Sequence, residues 1–497
     1  MELVTGLSDF ISAVVLGVIF LAFMVVFFVA IMDNSQKSHS ILRNYPFVGR
    51  FRYWLESVGE FLRQYFFALD REELPFNRAQ RSWVYRAAKD IDNTVAFGSS
   101  MDLTKPGNYV FLNSAYPILE NDHLQEPITI GPDCPNPYTP NGFFHISGMS
   151  FGAISQNAVL ALSAGAKKAG CWMNTGEGGL SPYHLKGGAD IVFQIGTAKY
   201  GVRNERGELD EEKLHLVASH DMVKMFELKL SQGAKPGKGG ILPAVKVTEE
   251  IAMIRGIPAG VASISPNRHP EIDSAESLLA MTNRVRKITG KPVGFKFVMG
   301  DKDWLEDLCQ VINEQGKDQA PDFITLDSGD GGTGAAPLPL MDCVGLPLRQ
   351  SLPILDDILN SHGLRERIRI VASGKLINPS QVAAALALGA DFCVSARGFM
   401  FSLGCIQSLQ CNKNTCPTGV ATQNHHLQRG LVPADKAERV YHFRKNMEKE
   451  VAIIAHSCGV ETPRQLQRHQ VCMITEGGNI ANLGELYPRQ DSKKNHE

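Results

Sequence analysis

The chain has 497 residues, enough for one large domain with additions or for two to three ordinary ones. Its 44% hydrophobic and 21% charged residues are those of a globular protein, and a formal net charge of -2 gives no basis for binding nucleic acid. Ten cysteines scattered without a pairing pattern fit a reducing compartment and argue against a disulfide scaffold.

Near the amino terminus Phe10–Met32 is uncharged and apolar, FISAVVLGVIFLAFMVVFFVAIM. About 23 residues at 1.5 Å each reach roughly 34 Å, enough for a bilayer core of about 30 Å. Glu2 and Asp9 precede the run and no Lys or Arg does, unlike the basic start of a signal peptide. Lys37, Arg43, Arg50 and Arg52 follow it, so the positive-inside rule places the carboxyl side in the cytoplasm. Residues 1–35 are therefore expected to be a single-pass anchor in the inner or plasma membrane. Residues 36–140 read as a juxtamembrane collar of helices and loops. A helix with an aromatic face is expected around Tyr53–Phe67, either lying on the anionic membrane surface or packing on the body.

From Asn141 a rhythm sets in, in which short β-branched runs end in glycine-rich turns and helical patterns follow. The units are FFHISGMSFGAIS, CWMNTGEGG, IVFQIGTAKYG, GVASISPN, PVGFKFVMG, DFITLDSGDGGTG, RIRIVASGKL and DFCVSARGF. Alternating strands and helices predict an α/β protein with a parallel sheet, and about eight units predict a (β/α)8 TIM barrel over 141–400. Its site belongs at the carboxyl ends of the strands. In the last two units Ser373, Gly374 and Lys375 face Ser395, Ala396 and Arg397, a layout suited to a phosphate. Three more loops look chemical. NTGEGG carries Glu177, SQGAKPGKGGILP carries Lys235 and Lys238, and DSGDGGTGAAP is glycine-rich.

Gly404–Gln423, GCIQSLQCNKNTCPTGVATQ, places Cys405, Cys411 and Cys416 at a C-x5-C-x4-C spacing. Thiolates suit iron–sulfur clusters, zinc or Cu(I), and three ligands with no fourth nearby suit a three-ligand cluster better than a closed zinc site. Three packed thiols are the alternative. His425 and His426 follow and read as surface or packing residues. The helical stretch Pro433–Leu466 is expected beside the cysteine loop, which with it makes up 401–475, and 476–497 reads as a polar tail.

Taken together, SGMSFGAIS, NTGEGG, LKLSQGAKPGKGGILPAVKVT, SISPNRHPEI, DSGDGGTGAAP, ALALGAD and CIQSLQCNKNTCPTGVATQ resemble the FMN-binding, iron–sulfur domain of glutamate synthase. The likeness covers roughly Asn141–Gln467, and the RNYP and PFNRAQRSWVYRAAK segments resemble its stand-alone, membrane-anchored branch. The resemblance implies FMN held by Ser147, Gly148, Asn174, Thr175, Gly176, Gln194, Lys296, Gly331, Gly332, Thr333, Gly334, Gly374, Lys375, Ala396 and Arg397. It implies a [3Fe-4S] cluster on Cys405, Cys411 and Cys416. It also implies that Gln232, Lys235 and Arg255 meet the carboxylates of 2-oxoglutarate, with Glu177 handling protons. The implied reaction adds ammonia to a 2-oxo acid, loses water and reduces the imine, with electrons from a separate reductase or ferredoxin.

Three departures bear on that expectation. The chain lacks the glutaminase domain, so glutamine is not expected to supply the ammonia. GDGGTG at Gly329–Gly334 matches G-x-G-x-x-G but runs into AAPLP, so it is a poor dinucleotide fingerprint. Leu180 and Lys238 stand where the family has acidic residues. A membrane-anchored electron-transfer or redox-sensing flavoprotein without amination is the alternative function.

Overall fold

A computed structural model of the chain describes residues 2–119 and 127–489 and divides into two compact units, Met1–Gln80 and Arg81–Glu497. In the first unit one continuous helix runs from Glu2 to Ser35. Its Gly6–Ser35 part contains an 18-residue window with a mean hydropathy of 3.2 and no buried residue, so it is long and apolar enough to cross a membrane. The chain then turns back on Asp33, whose carboxylate accepts from Arg50 Nη2 at 2.6 Å and from the Phe47 N–H at 3.0 Å. Short helices follow at Ser40–Asn44 and Val48–Leu62, the second ending in a wider turn at Arg63–Phe67.

The second unit holds a closed barrel of eight parallel strands in sequential order. They are β1 Phe144–Ile146, β2 Trp172–Asn174, β3 Asp190–Ile195, β4 Val223–Lys229, β5 Val293–Val298, β6 Phe323–Asp327, β7 Arg369–Ser373 and β8 Phe392–Ser395. The TIM-barrel expectation holds, and seven of the eight expected units are barrel strands. The unit GVASISPN is not. Ser263–Ile264 pairs antiparallel with Ile241–Leu242 in the long excursion after β4. The missing strand is VKMFELK, β4 itself. Lys224, Glu227 and Lys229 interrupt its apolar run and hide it from a hydrophobicity reading, although all but Lys224 are buried.

Beneath the site the barrel is filled by Trp172, Val192, Met225, Phe323, Val371, Phe392 and Val394, sealed from below by Ile130 and Tyr138. Outside it, Ser155 caps the helix Gln156–Ala169 and Gly170 ends it in a left-handed turn. The helix Pro433–Ser457 lies so close against this one that a Cβ at Gly165 would sit 2.5 Å from Val440 Cβ. Its Phe443 stacks edge-on against both Phe144 and Phe399, so the helix packs on the barrel as expected. Part of the expected collar belongs to this unit. Trp83 Nε1 donates to Glu450 at 2.9 Å and Tyr85 OH to the Cys405 carbonyl at 2.6 Å. The expected tail from residue 476 is structured up to 489. Ile480–Asn482 pairs antiparallel with Val471–Ile474, which in turn pairs with Tyr109–Phe111. Residues 490–497 lie outside the described residues.

Candidate active site

Every barrel strand delivers a polar side chain at or just beyond its carboxyl end. These are Ser147, Asn174, Gln194, Lys229, Lys296, Asp327, Ser373 and Ser395. All of them except Asn174 line one cavity. Asn174 sits one layer lower, in a buried network around Glu227. That carboxylate accepts from Asn174 Nδ2 at 2.8 Å, Gln194 Nε2 at 2.6 Å and Thr325 Oγ1 at 2.6 Å. The three donors satisfy a buried charge and fix the amide of Gln194 beneath the cavity.

On one wall Lys296 Nζ lies 3.0 Å from Asp327 Oδ2. Asp327 is itself held by Ser373 Oγ at 2.8 Å and by the Gly233 N–H at 3.0 Å. Burial works against the ammonium of Lys296, but Asp327 and Glu227 outweigh it and hold its pKa above the ordinary lysine value. Lys296 is therefore a fixed cation at neutral pH.

The opposite wall comes from the β2, β3 and β4 loops. Glu177 Oε1 lies 3.2 Å from Lys229 Nζ, and Lys229 also donates to Gln232. Gln232 in turn donates to Thr333 Oγ1 at 3.1 Å. A Cβ at Gly240 would sit 1.9 Å from Glu177 Oε1, so the loop needs glycine there. Burial pushes the Glu177 carboxyl up, but Lys229, Lys235 and Arg255 outweigh it and keep it below the ordinary glutamate value. Glu177 is thus a carboxylate at neutral pH, able to accept a proton. Arg255 donates to Ser263 Oγ and to the Phe151 carbonyl, both at 3.2 Å, and stacks on Tyr200, its Nε without a partner among the described residues. Lys235 is only 4% exposed, and among the described residues its ammonium makes no hydrogen bond or ion pair. Burial and the like charge of Lys229 bring its pKa down to about 8, against the pull of Glu177.

At the β7 and β8 end the backbone comes close. Gly374 has φ +135, and a Cβ there would be 2.1 Å from Ser328 Cβ. A Cβ at Gly332 would meet Arg397 Nε at 3.0 Å. Lys375 pairs with Asp330 at 2.9 Å, and Arg397 donates to the Thr333 carbonyl. A bare backbone wall, two cations at one end, the Gln194 amide below and the Lys296 cation at the side fit a flat cofactor with an anionic tail. The GDGGTG loop belongs to this wall and opens no helix at its end, since the next helix is Leu338–Cys343.

The cysteine loop closes the cavity beside Arg397, whose Nη1 lies 3.6 Å from Cys411 Sγ. Burial opposes the charge of Arg397, but all three thiols outweigh it and raise its pKa. Burial pushes the Cys405 thiol up to about 11, against the pull of Arg397. The donor types suit a cluster, but among the described residues no three Cys, His, Asp or Glu side chains converge to hold a metal. His425 and His426 are exposed. The loop is anchored by buried Lys246, whose ammonium donates to the carbonyls of Ala153 at 2.6 Å, Ala421 at 3.2 Å and Cys411 at 3.3 Å.

The cavity brings together Glu177, Gln232, Lys235 and Arg255 with most of the expected cofactor residues: Ser147, Gly148, Gly176, Gln194 and Lys296, then Gly332, Thr333 and Gly334, then Gly374, Lys375, Ala396 and Arg397. It leaves out Asn174, Thr175 and Gly331. Asn174 and Thr175 are turned into the hydrogen bonding under the turn, where Thr175 Oγ1 accepts from the Gln194 N–H at 3.1 Å. Of the cysteines only Cys411 reaches the wall. The sequence reading missed Lys229, Glu227 and Lys246. Lys229 stands two residues before Ser231 of the SQGAKPG loop, a strand-end charge that a β4 assignment would have exposed.

The model of the conserved region in glutamate synthase matches residues 99–461. A glutamate synthase large subunit-like protein YerD of Bacillus subtilis (strain 168) is 40% identical over 514 residues, covering 95% of this chain and 97% of that protein. The archaeal glutamate synthase [NADPH] of Methanocaldococcus jannaschii is 35% identical over 344 residues, 69% of this chain and 64% of that one. The archaeal-type glutamate synthase [NADPH] of Thermotoga maritima is 34% identical over 324 residues, 65% and 60%. The match thus spans a little under two thirds of these two archaeal-type enzymes. Among solved structures, a flavocytochrome b2 mutant with benzoylformate gives a TM-score of 0.46 at 13% identity, covering 83% of this chain and 80% of the other. With a closed eightfold barrel, the Lys235 loop after β4 and the cysteine loop on one cavity, and a family match over most of its length, the chain belongs to the glutamate synthase family.

Proposed function

We propose that the chain is an FMN-dependent oxidoreductase that aminates a 2-oxo acid, 2-oxoglutarate in the first instance, with ammonia. The observation that carries this reading is the pair of facing walls. One holds the permanently charged Lys296, and the other holds the unpaired Lys235 beside the Glu177–Lys229 pair. FMN, when bound, supplies hydride to the imine carbon. Ser147, Gln194 and the Gly332–Gly334 backbone would hold its ring, and Gly374, Lys375 and Arg397 its phosphate. Lys296 holds a fixed positive charge at the side of the cavity, where it would stabilise negative charge on the ring. Lys235 binds the substrate carboxylate, and Gln232 fixes the loop that presents it. Glu177, ionised between three cations, accepts a proton from the attacking amine and returns it to the hydroxyl of the adduct, which leaves as water.

The cysteine spacing and the family support a [3Fe-4S] cluster on Cys405, Cys411 and Cys416, reached by electrons from a separate reductase or ferredoxin. The apolar helix supports a membrane anchor with the barrel on the cytoplasmic side. The test is anaerobic purification in detergent, identification of the released flavin, iron and zinc assays, then turnover with reduced dye, 2-oxo acid and ammonium. FMN in the sample with amino acid formed only when both substrates are present supports the proposal. FMN without any amination by any 2-oxo acid favours the electron-transfer alternative. A colourless protein overturns both.

A further inference from the structure

The helix Val48–Leu62 and the turn after it carry an apolar face that no other described residue of their own unit covers. At about 3.6 residues per turn Phe51, Trp54, Leu55, Phe61, Leu62 and Tyr65 fall on one side. All six are exposed, Phe51 by 54%, Trp54 by 59% and Leu55 by 54%. Phe66 and Phe67 extend the patch at 76% and 73%. A contiguous aromatic face of this size is a docking surface rather than ordinary solvent-exposed scatter. The opposite side carries Glu56, Ser57 and Glu60, with Arg52 and Arg63 along the polar border.

Two observations say what covers the face. The first is its tether. Asp33 stands in the last turns of the apolar helix, and its carboxylate holds Arg50 by two guanidinium nitrogens, at 2.9 Å and 2.6 Å. Phe47, immediately before the helix, is held by the same carboxylate. The start of Val48–Leu62 is therefore pinned at the level where Gly6–Ser35 leaves the hydrocarbon. The second is charge. Lys37, Arg43, Arg50, Arg52 and Arg63 outnumber Asp33, Glu56 and Glu60 along the same stretch, as an anionic leaflet requires.

We infer that Val48–Phe67 lies in the headgroup layer of an anionic bilayer, its aromatic face buried among the acyl-chain ends and its arginines among phosphates. The inference rests on reading Gly6–Ser35 as a membrane span. The anchor then has two parts, a span that holds the chain and a surface helix that sets the azimuth and depth of the chain leaving it. Trp54 and Tyr65 suit this layer because their rings are apolar with one polar edge.

The test uses the full chain reconstituted in vesicles of phosphatidylcholine and phosphatidylglycerol, with the Trp54→Phe variant isolating the Trp54 contribution from the other tryptophans. Vesicle flotation after alkaline washing is read first, since a protein that washes off overturns both the span and this inference. With the chain anchored, lipids brominated near the headgroup end of the acyl chain are expected to remove most of the Trp54 emission. Lipids brominated near the bilayer centre should remove less. A Trp54 signal insensitive to bromine but quenched by iodide would place the face in water and overturn the inference while leaving the span intact. Insensitivity to both quenchers would show protein covering the face, and overturns it equally.

Discussion

Two buried lysines, on facing walls of one cavity, differ in what their surroundings make of them. Lys296 leans on Asp327 and feels Glu227, so its charge is more secure than in water. Lys235 sits in the glycine-rich loop after β4 with, among the described residues, no carboxylate in contact and Lys229 nearby, and its pKa falls to about 8. Both are buried to a similar extent, so burial does not separate them. The counter-ion does. The strand-end wall is a satisfied frame built before any ligand arrives, whereas the loop wall is left one negative charge short, which the proposed substrate carboxylate would supply.

The largest effect expected from breaking this contrast is on the satisfied side. Lys296→Met leaves Asp327 buried without its cation, which costs about 3–5 kcal/mol of stability. The denaturant midpoint should drop accordingly, with loss of bound flavin. Gly374→Ala forces a Cβ into Ser328 at a φ that L-residues avoid, at a cost of about 1–3 kcal/mol. Its signature is flavin-poor protein with the barrel's far-ultraviolet signal retained.

On the unsatisfied side the fold should survive and affinity should suffer. Lys235→Met removes one charged contact, about 1.5–3 kcal/mol, or roughly 10- to 150-fold in kcat/KM for the 2-oxo acid, expressed mainly in KM. The pH dependence carries the sign. Lys235 is charged below about 8 and neutral above it, so carboxylate affinity is present below that value and lost as pH rises through it. A KM that climbs above pH 8 in the parent protein and stays flat in Lys235→Met is the expected pair of profiles. Because its folded pKa is depressed, the unfolded chain binds more protons between about 8 and 10.4, and stability should rise with pH across that window. The smallest displacement is in the pH profile, read on the activity that remains once the proposed proton acceptor is removed. Glu177→Gln removes a carboxylate that holds the Lys235 proton on, so the alkaline limb should move to lower pH.

Much of this was legible in the sequence, for identifiable reasons. Seven strands announced themselves because β-branched runs fall directly before glycine turns. That the β7 and β8 turns meet at one end of the cavity followed from Ser373–Lys375 and Ser395–Arg397 lying in the last two units. β4 was not legible because its inward face is charged, and Glu227 and Lys229 are charged because they serve the site. The Ser263–Ile264 strand took its place in the count because an excursion hairpin has the same local composition as a barrel strand. Asn174 and Thr175 belong to the motif assigned to the cofactor, and their side chains bond to Glu227 and to the backbone of Gln194. Which member of a strand-end turn faces the cavity depends on the register between neighbours, and a motif does not encode that. Lys246 was invisible for a related reason, since its three acceptors come from Ala153, Cys411 and Ala421, distant in sequence.

The measurement that tests the central claim most directly is an anaerobic single turnover. The protein-bound flavin is reduced by light and mixed with 2-oxoglutarate, with ammonium, or with both. The claim predicts that flavin absorbance returns only with both present, with one equivalent of amino acid per flavin, and that Lys235→Met slows the return at low 2-oxo acid. Return of the oxidised spectrum with neither the acid nor the amine required, or no return with any 2-oxo acid, would contradict it.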